Sequence, residues 1–306
     1  MNLPKHQHWV PQFYLRYFST PETRSAEEQQ VWIFSKDEAD DEAHITNVRK
    51  ICGKRYLYTP LDKAGQRKWD LETKLEALES SMGQIWPGIA DDFIDLSDDS
   101  MREGLSLFIA VMHLRNPEVR RDAERLHQQL VEAYEAMPMS SQGKPAIELI
   151  EVNDAIHEFN ASGWHEYKAW GKNDHDRFFT HLIQREAIQI ARILMKKRWS
   201  VVFSERQMFI TSDRPVVLQH QTKEAFGFGT NDAIIWSPLS QTRLLIMDDL
   251  HSEPANQYYP LKHDYQGIFN YSTWRGCSRF LITGRPVAEV LSEIVACADA
   301  AEDGAA

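Results

Sequence analysis

Between Trp69 and Arg198 the apolar residues recur at helical spacing, and on either side of that block they do not. This change of period limits the folds available more than any other feature of the chain. Leu71, Leu75, Leu78 and Met82 fall on one helix face, and Pro87 marks a second helix start or a kink. Ser100 with Glu103 fits a capping box ahead of Leu105, Phe108, Ile109 and Met112. Asn116-Pro117 ends that helix and permits another to about Ala136. Met137 to Pro145 reads as a loop. Asp176 to Arg198 is long and amphipathic, with Phe179, Leu182, Ile183, Ile190, Ile193 and Leu194 mainly inward.

The flanks have shorter periods. Pro11 stands where a helix can begin, because its missing amide proton would find no partner in a first turn. Residues 20–30 are expected to be an exposed loop. Val31 to Ser35 and Arg55 to Thr59 read as strands, with a solvated acidic loop from Lys36 to Glu42 between them. After the block, strands are expected at Trp199–Phe203, Met208–Thr211, Pro215–Leu218, Ile234–Trp236, Arg243–Met247 and Arg279–Thr283. Helices are expected at Tyr265–Arg275 and Val287–Ala298. There is no internal repeat and no regular β-α-β alternation, which disfavours a doubly wound sheet. The expected fold is α+β: a central helical block, short N-terminal strands and a C-terminal β-rich part, the two β-rich ends sharing one sheet. Residues 1–298 are expected to form a single domain, with 299–306 a frayed tail.

Composition narrows the function classes. Over 306 residues the chain is 42% hydrophobic and 26% charged, within ordinary globular usage. A formal charge of −11 excludes a protein that coats nucleic acid or anionic membrane over its whole surface, while leaving local basic patches open. Cys52, Cys277 and Cys297 are far apart and form no C-x-x-C, so reduced thiols are expected rather than a disulfide framework or a cysteine zinc site. The opening residues hold no apolar stretch suited to a signal peptide. The apolar windows Leu105–Leu114 and Ile188–Met195 are too short and interrupted to cross a bilayer. A cytoplasmic protein without a membrane partner is expected. No P-loop, no G-x-S-x-G elbow and no H-E-x-x-H occurs, and Gly227-Phe228-Gly229 reads as a flexible loop.

The polar residues worth following sit in a few places. His8 precedes the helix expected at Pro11, where an imidazole serves as proton donor or acceptor, as metal ligand, or as a hydrogen-bonded edge residue; Arg16 lies further along and suits an anion. His6 and His8 face the same way only if their segment is extended. Asp213 closes a strand within Thr211-Ser212-Asp213-Arg214-Pro215: it holds a metal or orients a histidine, or it is turn chemistry. Glu72 and Glu79 are seven apart, with Glu76 between, so they either bind a divalent cation together with Asp213 or form a solvated acidic stripe. Arg115 ends an apolar helix, where it snorkels, pairs with one of these acids, or meets a phosphate or carboxylate. Arg185, Arg192 and Lys196, continued by Lys197 and Arg198, either guide a polyanion or answer the helix dipole. Trp164, Tyr167, Lys168 and Trp170 interleave aromatic and basic character, as in stacking sites.

The opening His8-Trp9-Val10-Pro11-Gln12-Phe13-Tyr14-Leu15-Arg16-Tyr17-Phe18 resembles the bacterial family known as domain of unknown function (DUF) 4238. The resemblance continues at Asn47, Tyr56-Leu57-Tyr58, the Glu72 to Glu79 helix, His113-Leu114-Arg115, Phe209 to Pro215 and Pro238-Leu239. Arg214 departs from it, since similar sequences often carry Asn there. The resemblance implies a domain assignment over most of the chain and no reaction. From the residues, two functions are expected to compete. One is a cytoplasmic hydrolase, a metal-assisted phosphodiesterase or nuclease with His8 as base or ligand. In it Asp213 and Glu79 hold magnesium or manganese, and Arg115 steadies a phosphate of a nucleic acid. The other is a non-catalytic binding or regulatory module of a bacterial defence or toxin system. An enzyme acting on a small anionic metabolite is a third. Oligomeric state is not legible.

Overall fold

The computed structural model describes residues 5–36, 43–152, 155–262 and 265–303. Most of the expected acidic loop (37–42) and the last three residues of the chain lie outside the described residues. In chain order the first elements are β1 (His6–His8), α1 (Gln12–Leu15), β2 (Gln30–Ser35), β3 (His44–Asn47) and β4 (Gly53–Arg55). The helical block follows as α2 (Asp70–Asp91), α3 (Asp99–Leu114) and α4 (Pro117–Glu135), then β5 (Leu149–Val152), β6 (Ala155–Glu158), α5 (Trp164–Lys168) and α6 (Lys172–Lys196). The last part holds β7 (Arg198–Phe203), β8 (Thr211–Ser212), β9 (Val217–Gln219), β10 (Ile234–Ser240), β11 (Arg243–Asp248), β12 (Gln257–Pro260), α7 (Gln266–Gly276), β13 (Phe280–Thr283) and α8 (Val287–Asp303). This is a mixed α+β fold with central helices and strands toward both ends.

The two β-rich ends do share a sheet. Its order is β3-β2-β13-β8, all antiparallel, with Ile33 opposite Ile282 and Leu281 opposite Ser212. A second sheet, β12-β7-β11-β10-β9, is antiparallel except for the β12–β7 edge. Pro238 sits in β10 beside a register shift, where a residue without an amide proton is tolerated. Two ribbons complete the pairing, β1 with β4 and β5 with β6.

The helices bury what their periodicity promised. Leu71, Leu75, Met82, Trp86 and Ile89 of α2 and Leu105, Phe108, Ile109 and Met112 of α3 enter one core with Phe179, Ile183 and Leu194 of α6. Trp86 Nε1 donates to the Leu239 carbonyl at 3.2 Å, and Ser240 Oγ donates to the Ala90 carbonyl at 2.8 Å, fastening α2 to β10. Tyr14 is fully buried among them. Its hydroxyl donates to the Pro238 carbonyl at 2.8 Å and meets Thr211 Oγ1 at 2.8 Å. With the tyrosine proton spent on the carbonyl, the threonine must be the donor.

Several expectations need correction. Pro87 starts no second helix, because α2 runs through it. The cap of α3 is Asp98, whose side chain accepts the Met101 amide, not Ser100 with Glu103. The strand expected at Arg55–Thr59 lies earlier, at Gly53–Arg55, since Tyr56 takes a left-handed φ of 56° and turns the chain away. Of the segment Met208–Thr211 only Thr211 pairs as a strand, together with Ser212 beyond it. Helix α8 continues past Ala298 to Asp303, where a frayed tail was expected. The strands β1, β3, β5, β6 and β12 were not foreseen. No helix among the described residues is long and apolar enough to cross a membrane.

Replacing Tyr14 by Phe leaves a buried carbonyl and a buried hydroxyl without their partner. It should cost about 1–3 kcal/mol in denaturant unfolding with the fold retained; an unchanged unfolding midpoint would show that the buried hydroxyl carries no net weight.

Candidate functional site

The N-terminal ribbon positions the first site residues. Pairing of His6 with Arg55 and His8 with Gly53 holds this segment extended. Alternate residues of a strand share a face, so the two imidazoles lie together, ring centroids 4.9 Å apart and edge to face. Both pack over Gly53, where a side chain would collide with the His6 ring. Cys52 and Tyr56, with φ of 53° and 56°, bound β4 in left-handed backbone, at a cost of about 1–2 kcal/mol each for non-glycine residues. Such strain is kept where surrounding structure enforces it.

His8 is half-buried, and its hydrogen bonds assign its tautomer. Nε2 donates to the Arg49 carbonyl at 3.1 Å, which leaves Nδ1 to accept from Gln12 Nε2 at 3.3 Å. Arg49 is itself fixed by Asn47, whose side chain accepts the Arg49 amide at 2.9 Å. Burial lowers the His8 pKa below its ordinary value, so the ring is neutral at pH 7.

Helix α2 brings its acids to the same place. His6, His8, Gln12, Arg16, Glu72, Glu76 and Glu79 line one cleft of about 380 Å³. Glu79 meets Arg115 through a 2.5 Å contact between Oε1 and Nη1. Arg115 is 1% exposed, its Nε donates to the Trp9 carbonyl at 2.7 Å, and its own carbonyl accepts the Tyr58 hydroxyl at 2.8 Å. Arg115 therefore pairs with an acid, one of its three expected fates. Glu72, expected most readily on a solvated stripe, is instead buried. Burial and then repulsion from Glu79 push its pKa up to about 7, against the pull of Arg115. Glu76 stays exposed.

Asp213 is placed differently. It is 1% exposed, and its two carboxylate oxygens each accept a backbone amide, from Ser278 and Arg279, both at 2.9 Å. Burial raises its pKa to about 6, opposed by those amides. Its carbonyl accepts Trp9 Nε1 at 3.1 Å and Asn116 Nδ2 at 2.7 Å. It lines a second cleft, of about 300 Å³, with Trp9, Lys54, Arg120, Arg121 and Arg279. A neighbouring trough shares Glu118, Arg121 and Arg279 with that cleft and adds Arg125 and Arg214. Lys54, Arg214 and Arg279 make no ion pair among the described residues, so this surface is locally basic on an acidic protein.

The structure thus unites His8, Glu72, Glu79 and Arg115 and separates Asp213 from them. The metal set of His8, Glu79 and Asp213 is corrected on that ground: they line different clefts, and the Asp213 oxygens are occupied by amides. Among the described residues no group of three His, Cys, Asp or Glu side chains is placed to hold a metal ion. The basic run of α6 is also corrected in part. Lys197 is buried on Asp249 at 2.6 Å, and Arg198 is buried on Asp248 at 2.6 Å, so neither offers charge to a polyanion. Sequence reasoning missed Gln12, Arg49 and the basic trough. Only Asn47, within the family resemblance, hinted at the Arg49 support.

A family model described as "Protein of unknown function (DUF4238)" matches residues 6–286. No curated protein and no solved structure matches.

Because the folded protein binds a proton at Glu72 more tightly than the unfolded chain does, this group's contribution to stability falls as pH rises from about 4.5 to about 7. Glu72→Gln should remove that slope and gain stability over the parent most clearly at pH 8. Melting temperatures of both proteins across pH 4 to 8 check this, and parallel curves would refute it.

Proposed function

The chain belongs to the DUF4238 family, and we propose that it is a hydrolase working by acid–base chemistry in the cleft of Glu72, Glu79 and His8. The observation that supports this most is the contrast between two carboxylates on one helix. Glu79 faces a buried guanidinium, whereas Glu72 is buried with no cation of its own and titrates near neutrality. A carboxyl group raised by burial suits a proton donor, and a carboxylate fixed by an ion pair beside it can serve as the acceptor. Glu72 donates to the leaving group, and Glu79, held by Arg115, draws the proton from an attacking water. His8, neutral with Nδ1 turned to the exchangeable Gln12 amide, orients that water or the substrate.

A phosphodiester is the substrate class that fits the surroundings. The cleft beside the arginine-lined trough takes Gly53 and Lys54 from the β1–β4 ribbon, and the acid–base cleft takes His6 and His8 from the same ribbon. A polyanion held in the basic trough is steered there electrostatically, although the molecule as a whole is acidic. Nuclease activity and metal assistance are the finer parts of the proposal.

One observation favours a non-catalytic binding or regulatory module instead. Asp213, the acid of the most recognisable late motif, spends both oxygens on a backbone turn and so acts as a latch.

The experiment is cleavage of single- and double-stranded DNA, RNA and simple phosphodiesters, with manganese, with magnesium and with chelator. Glu79→Gln should lower the rate by about 10²-fold or more, and Glu72→Gln should remove the fall in activity above pH 7, both variants remaining folded by circular dichroism. If the parent cleaves nothing in the panel, or Glu79→Gln leaves its rate intact, the hydrolase proposal fails. A large loss of stability in Asp213→Asn, with no change in any cleavage rate, is the expectation of the binding module.

A further inference from the structure

Away from that cleft, the excursion between α4 and α6 gathers five aromatic rings around a hollow. Tyr134 comes from α4, Phe159 from the end of the β5–β6 ribbon, Trp164 and Tyr167 from α5, and Trp170 from the turn before α6; together they line a cavity of about 380 Å³. The rings pack on one another at angles rather than as one stack: Tyr134 and Phe159 are buried with Leu130, and Trp164 and Tyr167 pack against them at the rim of the hollow. Tyr134 and Trp164 lie 5.6 Å apart at 77°, Phe159 and Trp164 5.1 Å apart at 51°, and Tyr167 and Trp170 4.8 Å apart at 62°. His127 stacks on Trp170, and the Tyr134 hydroxyl shares its one proton between the Glu148 and His157 carbonyls.

The charge of the hollow is one-sided. Glu158 and Glu166 line it, and neither makes an ion pair among the described residues. No Lys or Arg lines it, and nearby Lys168 is engaged with Glu135 at 3.1 Å. His157 also lines the hollow, and its buried Nε2 has no hydrogen-bond partner among the described residues. Ring faces carry negative potential, so aromatic walls and two carboxylates add in the same sense.

We infer that this hollow is a binding site for a small organic cation bearing a methylated ammonium group. A bare ammonium or a metal ion holds its water tightly and wants oxygen ligands. A methylated ammonium spreads its charge over apolar methyl groups that fit against ring faces. The cavity is of a size that accommodates such a molecule. Sequence reading noticed Trp164, Tyr167 and Trp170 as an aromatic series interleaved with Lys168, and the fold turns that lysine to Glu135 and leaves the series to acids. This site is independent of the hydrolase proposal.

The test is titration of the full-length protein with choline and with its neutral isostere 3,3-dimethylbutan-1-ol, read by calorimetry and by saturation-transfer NMR. Choline should bind about tenfold or more tightly than the isostere. Glu158→Gln with Glu166→Gln should weaken choline severalfold and leave the isostere unaffected, and Trp170→Leu should weaken both. The carboxylates are exposed, so the double variant keeps its fold and remains informative if Trp170→Leu does not. Equal binding of choline and isostere would make the hollow an apolar groove only. Tighter binding of adenosine than of choline would make it a stacking platform. Either result, or no choline binding at millimolar concentration, overturns the assignment.

Discussion

Three segments far apart in the chain are fastened to one another at Trp9. Its carbonyl receives Arg115 from the end of α3, and its indole nitrogen donates to the carbonyl of Asp213 in the late turn. Asn116 adds a second donor to that same carbonyl. The groups are buried, so each bond replaces a solvation that burial has removed, and losing one partner strands the other. A buried guanidinium is costly unless its protons are used; Glu79 and the Trp9 carbonyl accept from Arg115 at 1% exposure, while its Nη2 has no partner among the described residues. Both clefts are consequences of this corner. The acid–base cleft opens on the side of His8 and α2, and the basic trough opens on the side of Asp213 and α4.

The sequence made much of the architecture readable and little of the site. Helices of the central block were legible because Leu71, Leu75 and Met82, or Phe179, Ile183 and Leu194, repeat at a period only a helix can bury on one side. Joining of the β-rich ends was expected from strands standing on both sides of the helical block, but the sequence did not show that only β8 and β13 would join β2 and β3 while the other C-terminal strands form a five-stranded sheet of their own. Strands β5, β6 and β12 were missed because their pattern is mixed: Leu149 and Ile156 are exposed, and β12 pairs only along one edge of its sheet. The cap at Asp98 lost to Ser100 on motif resemblance, although the aspartate stands three residues before the amide it accepts.

For the site, residue type singled out His8, Glu79 and Arg115, which the fold brings together, and Asp213, which it places elsewhere. Nothing in Thr211-Ser212-Asp213-Arg214-Pro215 says that the amides of Ser278 and Arg279 will occupy both carboxylate oxygens, because those amides arrive from a turn more than sixty residues away. Burial of Glu72 beside an exposed Glu76 was equally hidden. Four residues apart on a helix, the two differ by where α1 and the β1–β4 ribbon happen to cover α2.

The order in which this molecule can assemble follows from the pairing of β2 with β13. Ile33 waits for Ile282, so a chain emerging from the ribosome must hold β2 without that neighbour until nearly all of it has been made. Contacts this distant in sequence slow folding, because the ends must be brought together before any pairing offsets the lost freedom. One edge of β2 can pair early with the nearby β3, while the edge that β13 will take stays open to other partners.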